Sequence, residues 1–157
     1  MTWEFREYNA FSVLGREGST DDGAGFIARL WQEANEHFSD IAGYVVYGKN
    51  GAPVRLWGLM SDFSRSLKPW EDDFSRGLYL AGAECLPDAP VPKGWTKWDV
   101  PAMRYVCIPS GQDAGDAFSQ GLEILKQQGL SMAAAAFDLT EPESGLSYVC
   151  FPVAVIG

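Results

Sequence analysis

The order of elements in the first part of this 157-residue chain recurs in the second, and no other feature narrows its fold as much. "SVLGREGSTDDGAGFIARLW" and "RYVCIPSGQDAGDAFSQGLE" share one pattern: an apolar strand-like run, a glycine-containing loop with aspartate, then residues at helical spacing. Two further strand-like segments follow each of them, so the order strand–helix–strand–strand occurs twice. A unit of this kind leaves one sheet face uncovered, and joining two of them buries it. The expected class is therefore α+β: two pseudo-symmetric β-α-β-β units forming a long antiparallel sheet, with two main helices on one side. A cleft is expected at the pseudo-twofold axis, a usual place for a ligand. Half one covers about residues 8–86, a proline-rich crossing 87–101 and half two about 102–157, together a single domain over 1–157.

Local signals support this division. In "FIARLWQEANEHFSDI", residues 26–41, Phe26, Ile27, Leu30, Trp31, Ala34, Phe38 and Ile41 form one apolar stripe, with Asp22 as the expected cap. "KNG" signals a hairpin between the apolar runs 44–47 and 54–60. The segment 61–77 is polar but carries Phe63, Trp70 and Phe74, so it is expected to pack back on the body as a lid or short helix. "PDAPVPKGWTKWDVPA" has too many prolines for a helix or a central strand, and it reads as an ordered crossing that buries Trp95 and Trp98. Downstream, Phe118, Gly121, Leu122 and Leu125 make a second helical stripe that Gly129 ends, and "MAAAAFDL" and "LSYVCFPVAV" read as strands.

A formal net charge of -9 disfavours nucleic-acid phosphates and anionic membranes as direct partners. No run approaches the length of a membrane span, and "MTWEFREYNA" does not read as a secretory signal, so a cytoplasmic protein is expected. Cys85, Cys107 and Cys150 lie in apolar runs without a CxxC pair, and His37 is the single histidine. Buried free thiols are expected, and neither a metal site nor a cofactor. "GREGSTDDGAG" lacks the spacings of a phosphate-binding loop.

One residue stands out chemically. "LYLAGAEC", residues 78–85, reads as a strand covered on both faces, yet it holds Glu84. A carboxylate there is costly unless it is paired or protonated. Either Glu84 is salt-bridged to Arg104 or Lys97, or it faces a pocket and awaits a cation. Six tryptophans exceed the needs of a core this size. Trp31, Trp57, Trp95, Trp98, Tyr47, Tyr79 and Tyr105 are candidates to wall such a pocket, where aromatic faces attract organic cations. Ordinary core packing is the alternative for each.

The segments "VLGREGSTDDGAGFIARLWQEANEHF", "WGLMSD", "LYLAGAEC", "PKGWTKWDVPA" and "AFDLTEPESGLSYVCFPV" resemble the GyrI-like effector-binding domains, in particular the branch of integron-associated effector-binding proteins and AraC-type activators. The resemblance runs from about residue 11 to the C-terminus and implies the duplicated fold above. It implies a bacterial binding module for hydrophobic, often cationic aromatic molecules, of multidrug-sensing or sequestering type, with Glu84 at the position of the pocket glutamate. A separate transcription factor or protein partner is implied as well, because no helix-turn-helix candidate is present. Two alternatives come with the family: a hydrolase opening cyclopropane-type electrophiles with Glu84 as general base, and a protein-binding inhibitor.

Overall fold

The computed structural model describes residues 2–111 and 113–157. In chain order the elements are β1 (Glu4–Tyr8), β2 (Phe11–Ser19), α1 (Phe26–Glu36), β3 (Leu56–Ser61), the single turn α2 (Glu71–Phe74), β4 (Leu78–Cys85), β5 (Thr96–Val100), β6 (Met103–Pro109), α3 (Ala114–Gln128), β7 (Phe137–Glu141) and β8 (Leu146–Val155). The strands form one antiparallel sheet in the order β1-β6-β8-β7-β3-β4-β2-β5. The duplication is visible in that order. Half one contributes β3-β4-β2, half two contributes β7-β8-β6, and the halves join where β3 pairs with β7. The expected α+β architecture, with a helix from each half on one side, is the one found.

The outer strands exchange halves. β1 pairs with β6 of half two, and β5 pairs with β2 of half one. Asn9 and Ala10 alone connect β1 to β2, six places away in the sheet. Two residues reach roughly 11 Å, whereas six strand spacings in a flat sheet amount to roughly 28 Å. Pro101 and Ala102 impose the same limit between β5 and β6. The sheet is therefore strongly curled, with its two ends brought together.

Curling separates two faces by strand parity. Val13, Trp57, Leu59, Leu80, Trp98, Tyr105, Phe137, Leu139 and Cys150 point inward into one cluster. Leu14, Ala83 and Cys85 face outward under α1 and the turns after it, while Val106, Ile108, Val149 and Phe151 face outward under α3. Phe118 stacks on Phe151 with ring centroids 5.5 Å apart.

Several local expectations need correction. The helical stripe expected over 26–41 stops at Glu36, and two 3-10 turns follow at Phe38–Asp40 and Ala42–Tyr44. Asp22 does not cap α1; it closes a reciprocal cap with Ser19 around the 3-10 turn Thr20–Asp22. "MAAAAFDL" yields a strand only from Phe137, because Ala134–Ala136 pack as buried non-strand backbone. The run 44–47 makes isolated bridges, Val45 to Cys85 and Tyr47 to Pro53, in place of a full hairpin. The crossing 87–101 contains an edge strand, β5, which tolerates prolines nearby because one side needs no partner. β1 has no counterpart in the sequence reading.

Gly121 sets how closely α3 lies on the sheet. A Cβ there would overlap the ring of Phe151 and press on Ile108. Gly121→Ala is expected to destabilise the fold by about 1–3 kcal/mol through overpacking, despite alanine's better helix propensity. Urea unfolding measures it; an unchanged midpoint would show that the helix rides further from the sheet.

Candidate functional site

Between the amino-terminal ends of α1 and α3, over the β3–β7 join, lies a cavity of about 340 Å³. Half one supplies Ile27 from α1 and Met60 from β3, and half two supplies Gly115 and Phe118 from α3, Val149 from β8 and the buried Ala135 and Ala136. The expected lid is present: after β3 the chain runs as a strap over the cavity, with Pro69, Trp70 and Phe74 as its roof. The indole N–H of Trp70 donates to the Leu78 carbonyl at 2.9 Å and fixes the strap to β4.

One charged side chain, Asp138, lines this otherwise apolar cavity. It stands on β7 opposite Gly58 of β3, at the join itself. The Tyr79 hydroxyl donates to Asp138 Oδ2 at 2.8 Å, and the Trp31 indole N–H donates to the Tyr79 oxygen at 3.1 Å. Gly58 makes this possible, because a Cβ there would overlap the Tyr79 hydroxyl. Among the described residues no lysine, arginine or histidine forms a salt bridge with Asp138. Burial raises its pKa above the ordinary carboxylate value, and the Tyr79 hydrogen bond offsets part of that. Burial, then the neighbouring Asp138, pushes the Tyr79 hydroxyl well above its ordinary value, so it stays a donor.

The eight residues read from the sequence divide between the two faces. Tyr79 and Trp31 belong to the hydrogen-bond chain that ends on Asp138. Glu84 lies five residues from Tyr79 along β4, so it points to the opposite face. There Arg55 grips it, Nε to Oε1 at 2.8 Å and Nη2 to Oε2 at 2.9 Å, and the Trp57 indole N–H donates to Oε1 at 3.0 Å. Its partner is thus Arg55, and neither Arg104 nor Lys97. Trp57 is fully buried, stacked on Phe11 at 4.6 Å in the inner core. Tyr105 is buried beside them, and its hydroxyl has no protein partner. Trp98 donates to Glu17 on the same inner side, at 2.9 Å. Trp95 packs under the turns after α1, donates to Asp40 at 3.1 Å and carries the Arg16 guanidinium over its ring at 4.8 Å. Tyr47 is exposed and donates to the Ala42 carbonyl at 2.6 Å.

None of these eight lines the cavity directly. Asp138 was missed, although it carries the signal that singled out Glu84: a carboxylate in an apolar run, "MAAAAFDL". Cys85, Cys107 and Cys150 are buried free thiols. Burial raises Cys85 to about 11, which keeps it protonated. Chemically, the cleft offers an apolar enclosure and one carboxyl that forms no salt bridge among the described residues.

No family model matches the chain, and no curated protein matches it by sequence. Solved structures do match. SAV2435 bound to tetraphenylphosphonium is 17% identical, over 98% of this chain and 94% of that one, with a TM-score of 0.62. EcmrR in a complex with DNA is 11% identical over 99% of this chain and 58% of that one, with a TM-score of 0.65. An integron cassette protein from the mobile metagenome of Vibrio cholerae is 19% identical over 98% of this chain and 95% of that one, with a TM-score of 0.54. The chain has the fold expected of a GyrI-like effector-binding domain, and ligand-binding and regulatory proteins are among those similar to it.

Removing Arg55 leaves a buried carboxylate unpaired. Arg55→Met is expected to cost about 2–3 kcal/mol, reduced from a fully buried pair because the Arg55 side chain is 27% exposed. Glu84→Gln, which keeps an acceptor for Arg55 and Trp57, is expected to cost less. Denaturant titration decides, and equal losses would refute the pairing argument. Asp138 makes the opposite kind of contribution. Its folded pKa lies above its unfolded one, so its stabilising share is complete below about pH 4 and is lost as pH rises through the folded value. Thermal unfolding from pH 4 to 8 is expected to show Asp138→Asn gaining stability relative to wild type as pH rises. A parallel pair of curves would mean that Asp138 titrates normally.

Proposed function

We propose that this chain is a binding module for small hydrophobic cations, aromatic ones included, which enter the cleft at the join and use Asp138 as counter-charge. The observation that carries this reading is the carboxyl itself, set in an apolar cavity, hydrogen-bonded by Tyr79 and, among the described residues, without a salt-bridge partner. Folding bears the cost of holding such a group, and a ligand cation relieves it. At about 4 Å and an effective dielectric near 20 the attraction is about 4 kcal/mol before desolvation is subtracted. Trp70, Phe74 and Phe118 supply faces on which an aromatic ligand stacks. The tetraphenylphosphonium bound by SAV2435, a protein of the same fold, is a ligand of this chemistry.

The proposal moves the anchor from Glu84 to Asp138. Glu84 already has its cation in Arg55 and faces the inner core. In the proposed role the module sequesters its ligand or presents the occupied state to a separate regulatory protein in the cytoplasm.

Tetraphenylphosphonium titration, followed by tryptophan fluorescence, tests the reading. Asp138→Asn is expected to weaken binding at least tenfold, and Glu84→Gln to leave it within about twofold of wild type, from the loss of one charge contact at the cleft only. Because the raised pKa leaves more of the carboxyl neutral in acid, affinity is expected to fall as pH drops from 8 to 5. Tight binding by Asp138→Asn together with loss in Glu84→Gln would return the site to the inner face.

A further inference from the structure

Beyond the strap, the cavity has a neighbour. A second, open groove runs along α3 and is walled by Leu122, Leu125, Leu130 and Met132. It shares Pro69, Trp70, Phe74 and Met132 with the Asp138 cavity, so the strap is the partition between the two. Phe74 closes this partition by setting its ring edge-on against Phe118 at 5.4 Å.

The partition rests on unfavourable backbone. Asp72, Asp73 and Phe74 have φ of 51°, 59° and 64°, three successive non-glycine residues in the left-handed region. L-residues avoid that conformation because Cβ crowds the following carbonyl, so this turn loses little by rearranging. Its flanks are better held. Trp70 is tied to the Leu78 carbonyl, and Glu71 bridges Arg76. The turn that carries Phe74 thus lies between two fixed points.

Chemistry changes along the path. The inner cavity holds the one carboxyl, Asp138, whereas the groove offers aliphatic walls. Asp73 and Lys126 line the groove as well, with opposite charges that ask for no net charge on an occupant. A ligand that fills both spaces therefore has one positive charge at its inner end and an uncharged apolar chain leading outward.

We propose that the cleft takes a cationic amphiphile, its head at Asp138 and its alkyl tail passing beneath Phe74 into the groove along α3. The proposal rests on Asp138 being the cation site, and it adds a second subsite and a gate.

A homologous series from tetramethylammonium to dodecyltrimethylammonium, kept below micelle formation, tests it by calorimetry or fluorescence. Affinity is expected to keep rising by about two- to threefold per methylene once the tail outgrows the inner cavity, less than the roughly fourfold of full burial because the groove is open. Leu122→Ser and Leu130→Ser are expected to flatten that rise for long tails while leaving tetramethylammonium binding unchanged. Phe74→Ala is expected to speed association of the long members. Dodecyl sulfate, with the same tail and the opposite charge, is expected not to bind. If short cations bind through Asp138 but added methylenes gain nothing, the groove and gate are refuted and the cation site stands. Equal binding of dodecyl sulfate, or a rise with tail length that both serine variants leave intact, overturns the proposal too. If no member of the series binds, the cation reading fails and the amphiphile with it.

Discussion

Two connections of two residues each govern this structure. Asn9–Ala10 and Pro101–Ala102 join strands that lie six places apart in the sheet. Chain that short cannot span a flat sheet, so the sheet curls until its ends approach one another. The curl creates an inside and an outside, and every later feature follows from which side a residue faces. The exchange of β1 and β5 between the halves is part of the same constraint, since each outer strand extends the half it does not precede.

The inside is a packed core that takes in the Glu84–Arg55 ion pair. Phe11, Trp57, Tyr105 and Phe137 fill it, and Glu84 enters it already bound to Arg55 and the Trp57 indole. Arg55 also lies 5.0 Å from the Tyr8 ring centroid. These contacts meet the demand that a buried carboxylate be paired and hydrogen-bonded. Three of the tryptophans find polar partners here and beneath α1: Glu84 for Trp57, Glu17 for Trp98 and Asp40 for Trp95. Each indole has an apolar body to bury and one N–H to satisfy, and the fold meets both needs.

The outside carries the helices, and the join leaves a gap between them. Half one and half two present different walls to that gap. Half one supplies Ile27, Met60, Trp70 and Phe74, whereas half two supplies Phe118, Met132 and Val149 together with the small Gly115, Ala135 and Ala136 and the carboxyl of Asp138. The duplication is thus imperfect around the cavity. Asp138 and Gly58, paired across the join, are the sharpest case. One residue brings the charge, and the other gives up its side chain so that Tyr79 can reach that charge.

Periodicity and punctuation in the sequence were enough for the duplication, both main helices, the packed strap and six of the eight strands. Apolar spacing reports burial directly, and glycine and proline report where elements stop. β1 escaped notice because "EFREY" at a sheet edge has three charged residues and no apolar alternation, its two rings falling on opposite faces. β5 was hidden in a proline-rich stretch that reads as a crossing. The site was less legible. "LYLAGAEC" is buried on both faces, so nothing along it says which face meets a cleft, although parity does place Tyr79 and Glu84 on opposite ones. The sequence by itself set two carboxylates, Glu84 and Asp138, within apolar strand-like runs, and of these the sequence reading singled out Glu84 alone. Only the tertiary structure decided which of them would be neutralised by the protein. Arg55 and Trp57 arrive at Glu84 through the pairing of β3 with β4 and the curl that faces them inward, whereas the β3–β7 join sets Asp138 opposite a glycine, beside a tyrosine and under an apolar strap. Pairing a buried charge depends on contacts between residues far apart in the chain, and the spacing of residues along a strand does not encode them.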